Sequence, residues 1–239
     1  MLFELNRFRQ LSLLTLILIV SLFGVWFAVM SNRASRIKQA IALLSESGCS
    51  IGYDFEYDGL RSRKAPQVPG PEFLRQFIGD EYFIDVAKLS FQGHDPTVNS
   101  DLEPFRMLQN VRRIDLDYTT ISNIEPIEHL GKLRWLDLEE TEIDDQALES
   151  LAGLINLEIL VLTRTKITDS GIARLSHLVN LDELRLNETV VSDACLIHLE
   201  GLSKLRNLEM CKTNVTGEGV AKLQLKLPNC EISWGDDSH

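Results

Sequence analysis

The chain has 239 residues, 44% of them hydrophobic and 25% charged, with 24 basic against 35 acidic side chains and a net charge of −11. Residues 1–64 carry 8 basic and 5 acidic side chains, and the remainder carries 16 and 30, a net of −14. So acidic a surface repels nucleic-acid phosphates, which excludes nucleic acid as a partner, and it favours basic partners or cations.

Residues 11–30 contain no charged side chain. At about 1.5 Å of rise per residue, this run spans the roughly 30 Å hydrocarbon core of a bilayer. A secretory signal has an apolar run of only about 7–15 residues and a small-residue exit. Here the run is longer and the exit, Val29-Met30-Ser31-Asn32, is poor. Residues 1–31 therefore read as a tail and an uncleaved single-pass membrane anchor. Arg7 and Arg9 precede the span and Arg33, Arg36 and Lys38 follow it, so the positive-inside bias is close to even. The expected placement of the remaining chain is extracytoplasmic.

Residues 32–47 place Ile37, Ala40, Ile41 and Leu44 at helical spacing before Gly48, which predicts a short juxtamembrane helix. From Cys49 the chain alternates, with Ile51, Tyr53, Phe55 and Tyr57 on one face, as in a half-buried strand. A basic, proline-rich loop follows (Arg61, Arg63, Lys64, Pro66, Pro69). Phe73, Leu74, Phe77 and Ile78 then predict a helix with Pro71 near its first turn and Gly79 at its end. Residues 48–85 fit the duty of a cap.

What needs the cap begins at residue 86 and runs to 234. The pattern Leu-x-x-Leu-x-Leu-x-x-Thr-x-Ile, or an apolar variant, starts at Val111, Leu133, Leu157, Leu181 and Leu205, in steps of 22, 24, 24 and 24 residues. A degenerate earlier unit uses Val86, Leu89 and Phe91, and a terminal one uses Leu227, Cys230 and Ile232. This period and signature define a leucine-rich repeat, in which each unit is a strand, a turn and a helical return. The expected fold is an α/β leucine-rich repeat solenoid of six or seven units, with a parallel sheet on its concave side and short helices on its convex side, behind an N-terminal transmembrane helix. Thr119, Thr141, Thr165, Thr189 and Thr213 stand where many such repeats carry Asn, and a buried hydroxyl there can satisfy backbone groups of the turn. Ser122, Asp144, Thr168, Ser192 and Thr216 are good helix caps. The apolar sets Leu148, Leu151, Leu154, then Ile172, Leu175, Leu178, then Leu196, Leu199, Leu202 read as one helical face each.

The register predicts which side chains leave the concave sheet. Trp135, Ile159 and Val161 should form an exposed aromatic and aliphatic patch with Tyr118 nearby. Asp115, Asp117, Asp137, Glu139 and Glu140 should form an acidic block, with Arg113, Arg134 and Arg164 able to pair with it. Buried Trp, Tyr and Arg dominate interface hot spots. The candidate protein-binding residues are Tyr118, Trp135, Asp137, Glu139, Ile159, Val161, Arg164 and Arg185, and the expected partner is a protein or peptide, with the acidic charge favouring a basic one. No cofactor or metal is expected, because a flat sheet does not readily supply the six to eight oxygens of a site such as Ca²⁺ takes. The chain holds no phosphate loop and no H-E-x-x-H motif, and His129, His177 and His198 fall on the return side without a converging nucleophile. Catalysis is not expected. The four cysteines lack C-x-x-C spacing and read as thiols, with Cys195 and Cys230 in core positions. The sequons at Asn187 and Asn214 arise from the threonine row and its cap.

The repeats over residues 157–204, with their Thr-x-(Ile/Val)-(Thr/Ser)-Asp turns, resemble bacterial leucine-rich repeat proteins of the internalin-like kind. The whole chain is similar to membrane-anchored members: an Arg-flanked span, a basic helix, a Gly-x-x-Ile-x-Tyr-Asp strand from Gly48 to Asp54, a cap, then repeats. The terminal Leu-Pro-Asn-Cys-Glu-Ile run at 227–232 also resembles that group's closing unit. The resemblance implies protein–protein interaction with no reaction of its own. Two alternatives stand beside it: a structural scaffold of the cell envelope without a specific ligand, and a substrate-receptor module like that of F-box ligases, although no F-box-like segment precedes the repeats.

Overall fold

A computed structural model of the chain describes residues 13–53, 57–58, 61–62, 76, 85–91 and 102–235. Its first element, α1 (Leu13–Glu46), is a single helix of 34 residues. The expected anchor and juxtamembrane helix are thus one element, with no break at residue 31. Nothing between Met30 and Lys38 interrupts a helix: the stretch has neither Pro nor Gly. The helix stops at Gly48, whose φ of 79° is the left-handed conformation that suits glycine at a C-terminus. By length and composition α1 is long and apolar enough to cross a membrane. Its two halves differ in surroundings. Leu16 to Val20, Leu22, Phe23, Val25, Trp26 and Val29 stand exposed, whereas Ala34, Ile37, Ala40 and Leu44 are buried.

The buried half of α1 packs on an eight-stranded sheet. β1 (Cys49–Tyr53) runs antiparallel to β4 (Val86–Phe91), and from β4 onward every pairing is parallel: β5 (Arg113–Asp115), β6 (Trp135–Asp137), β7 (Ile159–Val161), β8 (Glu183–Arg185), β9 (Asn207–Cys211) and β10 (Glu231–Gly235). The strand expected to run on through Tyr57 ends at Tyr53, past a register shift. β2 (Tyr57–Asp58) and β3 (Arg61–Ser62) form a separate hairpin, so Arg61 opens a strand instead of lying in the expected loop. Phe55 and the helix expected at residues 73–78 lie outside the described residues, apart from Gln76.

Register decides which side chains meet. Leu89, Ile114, Leu136, Leu160, Leu184, Leu208 and Ile232 stack in one column, one residue per strand. The terminal unit departs from expectation, since Ile232 pairs with Leu208 in place of Cys230, and Trp234 pairs with Met210 in place of Ile232. Parallel strands lie about 4.8 Å apart, so such a column is in continuous apolar contact. The six residues from Leu89 to Leu208 are fully buried and Ile232 is partly so, and they belong to one core that also takes in Ile37, Ala40 and Leu44. No single unit could bury that surface alone.

The connections behind the sheet differ from expectation. Most are 3₁₀ turns, at Glu103–Met107, Glu125–Ile127, Ala147–Leu151 and Asp193–Cys195, with one-turn α segments at Asp169–Ala173 and Leu196–Leu199. Among the described returns, only the last, Gly217–Lys226, is a helix of several turns. The reason lies in the leucines: 148, 151, 154 and their counterparts recur every three residues, and a 3₁₀ turn aligns residues three apart on one side. All nine are buried, Leu196 at 6% exposure and the others completely.

Two side-chain ladders repeat along the stack, one within each unit and one between units. Each threonine of the ninth position donates its hydroxyl to the carbonyl three residues back: Thr119 to Leu116, Thr141 to Leu138, Thr165 to Leu162, Thr189 to Leu186 and Thr213 to Met210, at 2.6–2.7 Å. The other ladder crosses between units. Asp145 accepts from both the N–H and the hydroxyl of Thr168, Asp169 does the same for Ser192, and Asp193 for Thr216, at 2.6–2.8 Å. The capping residues Thr168, Ser192 and Thr216 in turn accept from N–H groups of the segments they begin. Asp144 caps as expected, through Gln146 and Ala147, but Ser122 does not; the neighbouring Asn123 accepts from Glu125 instead.

Gly171 shows how tightly the aspartate ladder is packed. A Cβ at that position would lie 2.3 Å from Asp145 Oδ1, and the same distance separates a Cβ at Gly219 from Asp193 Oδ1. Removing Asp145 costs two hydrogen bonds to a charged acceptor, so Asp145→Ala should destabilise by about 2 kcal/mol. Gly171→Ala should cost a similar amount by collision. The double variant should cost less than the two single losses added together, by roughly 1 kcal/mol or more, because the carboxylate that clashes is gone. Urea denaturation of the four proteins measures this coupling.

Candidate functional site

The face of the sheet opposite the core carries three columns. The first runs Lys88, Arg113, Trp135, Ile159, Glu183, Asn207, and the second runs Ser90, Asp115, Asp137, Val161, Arg185, Glu209. Beyond each strand the chain turns through a residue with positive φ: Tyr118, Glu140, Arg164, Glu188 and Lys212, all between 53° and 56°. A non-glycine residue in that conformation costs about 1 kcal/mol. The turn persists because its N–H continues the ladder, Tyr118 donating to the Glu139 carbonyl at 2.8 Å and Arg164 to that of Asn187 at 2.9 Å. These five residues form the third column, at the rim of the face.

The rim is ionically closed. Arg164 reaches Glu140 at 3.1 Å and Glu188 at 3.0 Å, and Lys212 joins Glu188 at 3.2 Å. The carboxyl of Glu188 is accordingly held below its usual range by Arg164 and Lys212. Arg185 is engaged too, with Glu183 beside it and Glu209 at 3.4 Å. Arg134 does not serve the acidic block; it pairs with Glu158 at 3.4 Å, because position two of each unit points to the opening end of the strand and meets its counterpart there.

Trp135 is half-buried on this face and not in the core. The Arg113 guanidinium covers it, its carbon 3.7 Å from the ring centroid, a cation–π contact. Among the described residues, Trp135 Nε1 and Arg113 Nε are buried without a hydrogen-bond partner. Ile159, the next residue in the column, is also half-buried. Val161 is a correction: it is 1% exposed and no part of an open patch. A short side chain between Asp137 and Arg185 in its own column, beside Ile159 of the neighbouring column, is closed over by longer neighbours. Thr163 and Cys211, at position seven, are buried likewise.

The acidic block is drawn together as the spacing predicts. Asp115 and Asp137 lie on adjacent strands, with Asp117 and Glu139 in the turns that follow them, whereas Glu140, expected in the block, pairs with Arg164 at the rim. The cations near the block are few: Arg113 stands 3.6 Å from Asp115, and Arg185 acts on Asp137 at longer range. Burial, the Asp115 carboxyl bonded to it and the charges of Asp115, Asp137 and Glu139 push Asp117 up to about 7. Burial, with the charges of Asp115 and Glu139, pushes Asp137 up to about 6, against the opposing Glu139 N–H and Arg185. No group of His, Cys, Asp and Glu able to hold a metal ion occurs among the described residues.

Away from this face the remaining polar candidates have structural tasks. His129 and His177 bond the carbonyls of Leu108 and Leu151 across one unit. The cysteines are buried and outside any disulfide, and burial pushes Cys49 up to about 11, Cys195 to about 12 and Cys230 to about 11. What sequence reasoning missed is the aspartate ladder. The (Thr/Ser)-Asp pairs at 168–169, 192–193 and their kin were visible as a repeated dipeptide, and the step of about 24 residues already implied that each Asp would stand beside the next unit's cap.

Strand, hydroxyl-locked turn and short return, repeated in a parallel ladder, define the architecture as α/β of the leucine-rich repeat class. No protein-family model matches the chain, and no curated protein does. Solved structures similar to it include two internalins of Listeria monocytogenes. Internalin F is 20% identical with a TM-score of 0.49, over 58% of this chain and 38% of that one. Internalin C2 is 23% identical with a TM-score of 0.48, over 64% of this chain and 74% of that one. A leucine-rich repeat protein of Leptospira interrogans is 19% identical at a TM-score of 0.42, over 54% of this chain and 38% of its own. The chain therefore spans well under half of the first and third of these structures.

The raised carboxyls have a signed consequence for stability. Asp117 and Asp137 hold protons more tightly folded than unfolded, where an aspartate titrates near 3.9. Between that value and about 7 the folded state binds more protons, so stability falls as pH rises through this window. Asp117→Asn removes the penalty. Its gain over the parent should be absent near pH 4 and reach about 1 kcal/mol above pH 7.5, after discounting for solvent screening. Denaturation at the two pH values checks this; an equal gain at both would show that Asp117 is not ionised against its neighbours.

Proposed function

We propose that this chain is a single-pass, membrane-anchored leucine-rich repeat solenoid that binds a basic protein segment on the concave face of its sheet. The observation that carries the reading is the column geometry: Asp115, Asp117, Asp137 and Glu139 crowd together with too few cations, next to the half-exposed Trp135 and Ile159. Asp117 and Asp137, whose pKa values rise in this setting, oppose the fold when ionised, and a basic side chain brought between them removes that cost on binding. Trp135 and Ile159 supply apolar area at the centre, and Tyr118, Arg164 and Arg185 supply a polar rim, the arrangement of an interface with a few dominant residues. Val161, closed over, supports its neighbours and touches no partner.

Anchoring is supported by α1. The apolar residues between 16 and 29 stand largely exposed, which separates this half from a buried core helix. Its continuity with the buried half argues for a retained anchor over a cleaved signal, since removing the span would cut into a helix that ends in the core. On this reading the repeats stand extracytoplasmic, and the chain acts by binding and not by catalysis.

The test is binding of lysine- and arginine-rich peptides by the full chain in nanodiscs. Trp135→Ala with Ile159→Ala should weaken binding at least thirtyfold, about 2 kcal/mol or more, with circular dichroism unchanged. Asp137→Asn should weaken it less and flatten its dependence on salt. Unaltered affinity in both variants would refute the face as the site and leave the scaffold reading.

A further inference from the structure

Where α1 leaves the repeats, a groove of about 180 Å³ opens between it and the first units, walled by Val29, Asn32, Arg33 and Arg36 of α1 and by Asp85 and Gln109 opposite. We propose that this groove seats the phosphate head of one anionic glycerophospholipid, whose acyl chains lie on α1 along Val29 and Trp26. The inference rests on the membrane-anchor reading above and adds to it a lipid site.

The helix geometry sets the depth. Residues 29, 32, 33 and 36 share one face of α1, and the same face continues through Ala40 and Leu44 into the core. Followed the other way, it passes Trp26, 47% exposed, into the apolar run. One strip of helix thus runs from protein interior, through a polar groove, to a surface fit for acyl chains. At 1.5 Å per residue Arg33 and Arg36 lie roughly 4–9 Å beyond Met30, which is headgroup depth when the apolar run fills the hydrocarbon.

Charge selects the head. Asp85 accepts from Arg33 and, at 2.6 Å, from Asn110 Nδ2, so the one acid of the groove already has donors. Arg36 has no ion pair among the described residues, and the groove is left with a net positive charge in a chain of net −11. A guanidinium presents a planar fork of donors that matches phosphate oxygens, and the amides of Asn32 and Gln109 add neutral donors. The apolar wall at Val29 suits a lipid and not a free anion, and the volume is too small for a folded partner.

The experiment uses the full chain in phosphatidylcholine nanodiscs holding a minority of phosphatidylglycerol, with native mass spectrometry of the lipid retained after transfer to detergent. The wild type should keep one phosphatidylglycerol in preference to phosphatidylcholine. That preference should fall about fivefold in Arg36→Gln, the weight of one basic side chain at an anionic surface, and at least as much in Gln109→Glu. Arg134→Gln, remote from the groove, should leave it unchanged, and added inorganic phosphate should not displace the lipid. Equal retention in every variant, or displacement by phosphate, would overturn the lipid site. Carbonate extraction separates the two claims: a chain released from membranes sinks anchor and site together, whereas one that stays without lipid preference sinks only the site.

Discussion

Everything else in this molecule depends on an unbroken parallel backbone ladder in which residue n of one unit pairs with the equivalent residue of the next. Paired residues are 25 apart from β4 to β5, 22 from β5 to β6 and 24 thereafter, yet the strand registers stay aligned from β4 to β10. A slip of a single residue would exchange the two faces, sending the leucine column to solvent and the carboxylates into the core. The hydroxyl bonds of the ninth-position threonines fix where each strand ends, and the left-handed residue that precedes each of them fixes the direction in which the chain leaves. The aspartate ladder then ties every return to its neighbour. The three devices act at different heights of the stack, and all of them repeat at the same step.

Because these ladders carry the cohesion, the outer face of the sheet is released from structural duty and can hold groups that oppose folding. Asp117 and Asp137 do so: both titrate well above an ordinary aspartate, which makes their ionised state unfavourable in the fold at neutral pH. Arg113 spread over Trp135, with buried nitrogens on both, is a second local compromise. Such costs concentrate where a surface is adapted to something other than its own stability. At the other end of the molecule α1 gives the same lesson, for most of its apolar half stands exposed.

How far these features could be read from residues alone depended on whether their cause was periodic. The leucine column, the threonine bonds and the membership of the outer columns follow from a repeat that imposes one geometry on every copy, so Trp135, Ile159 and Asp137 were placed on the sheet face by counting. Exposure was not periodic. Val161 shares its column with Asp137, but its burial depends on the length of the neighbouring side chains, which no single unit contains. Capping residues and leucines suit both helix forms, so the sequence does not separate the returns that are α-helical, at 169–173, 196–199 and 217–226, from those that are 3₁₀ turns. The spacing of three, against three and four, is the one signal that favours 3₁₀. Arg134 pairs with Glu158 and not with the acidic block because position two leaves the strand at its opening end. The division of α1 at residue 31 came from composition, which changes there, whereas backbone conformation responds to Pro and Gly, and neither occurs.

The most direct test of the central claim is site-specific photo-crosslinking in intact cells, with the photoreactive side chain in place of Ile159 on the outer face or in place of Val179 on a return segment. The account predicts a discrete adduct from position 159, formed through a lysine- or arginine-rich segment of the partner and weakened by added salt, with none from position 179. Adducts only from position 179, or an adduct at 159 that is indifferent to salt and lacks a basic segment, would contradict it.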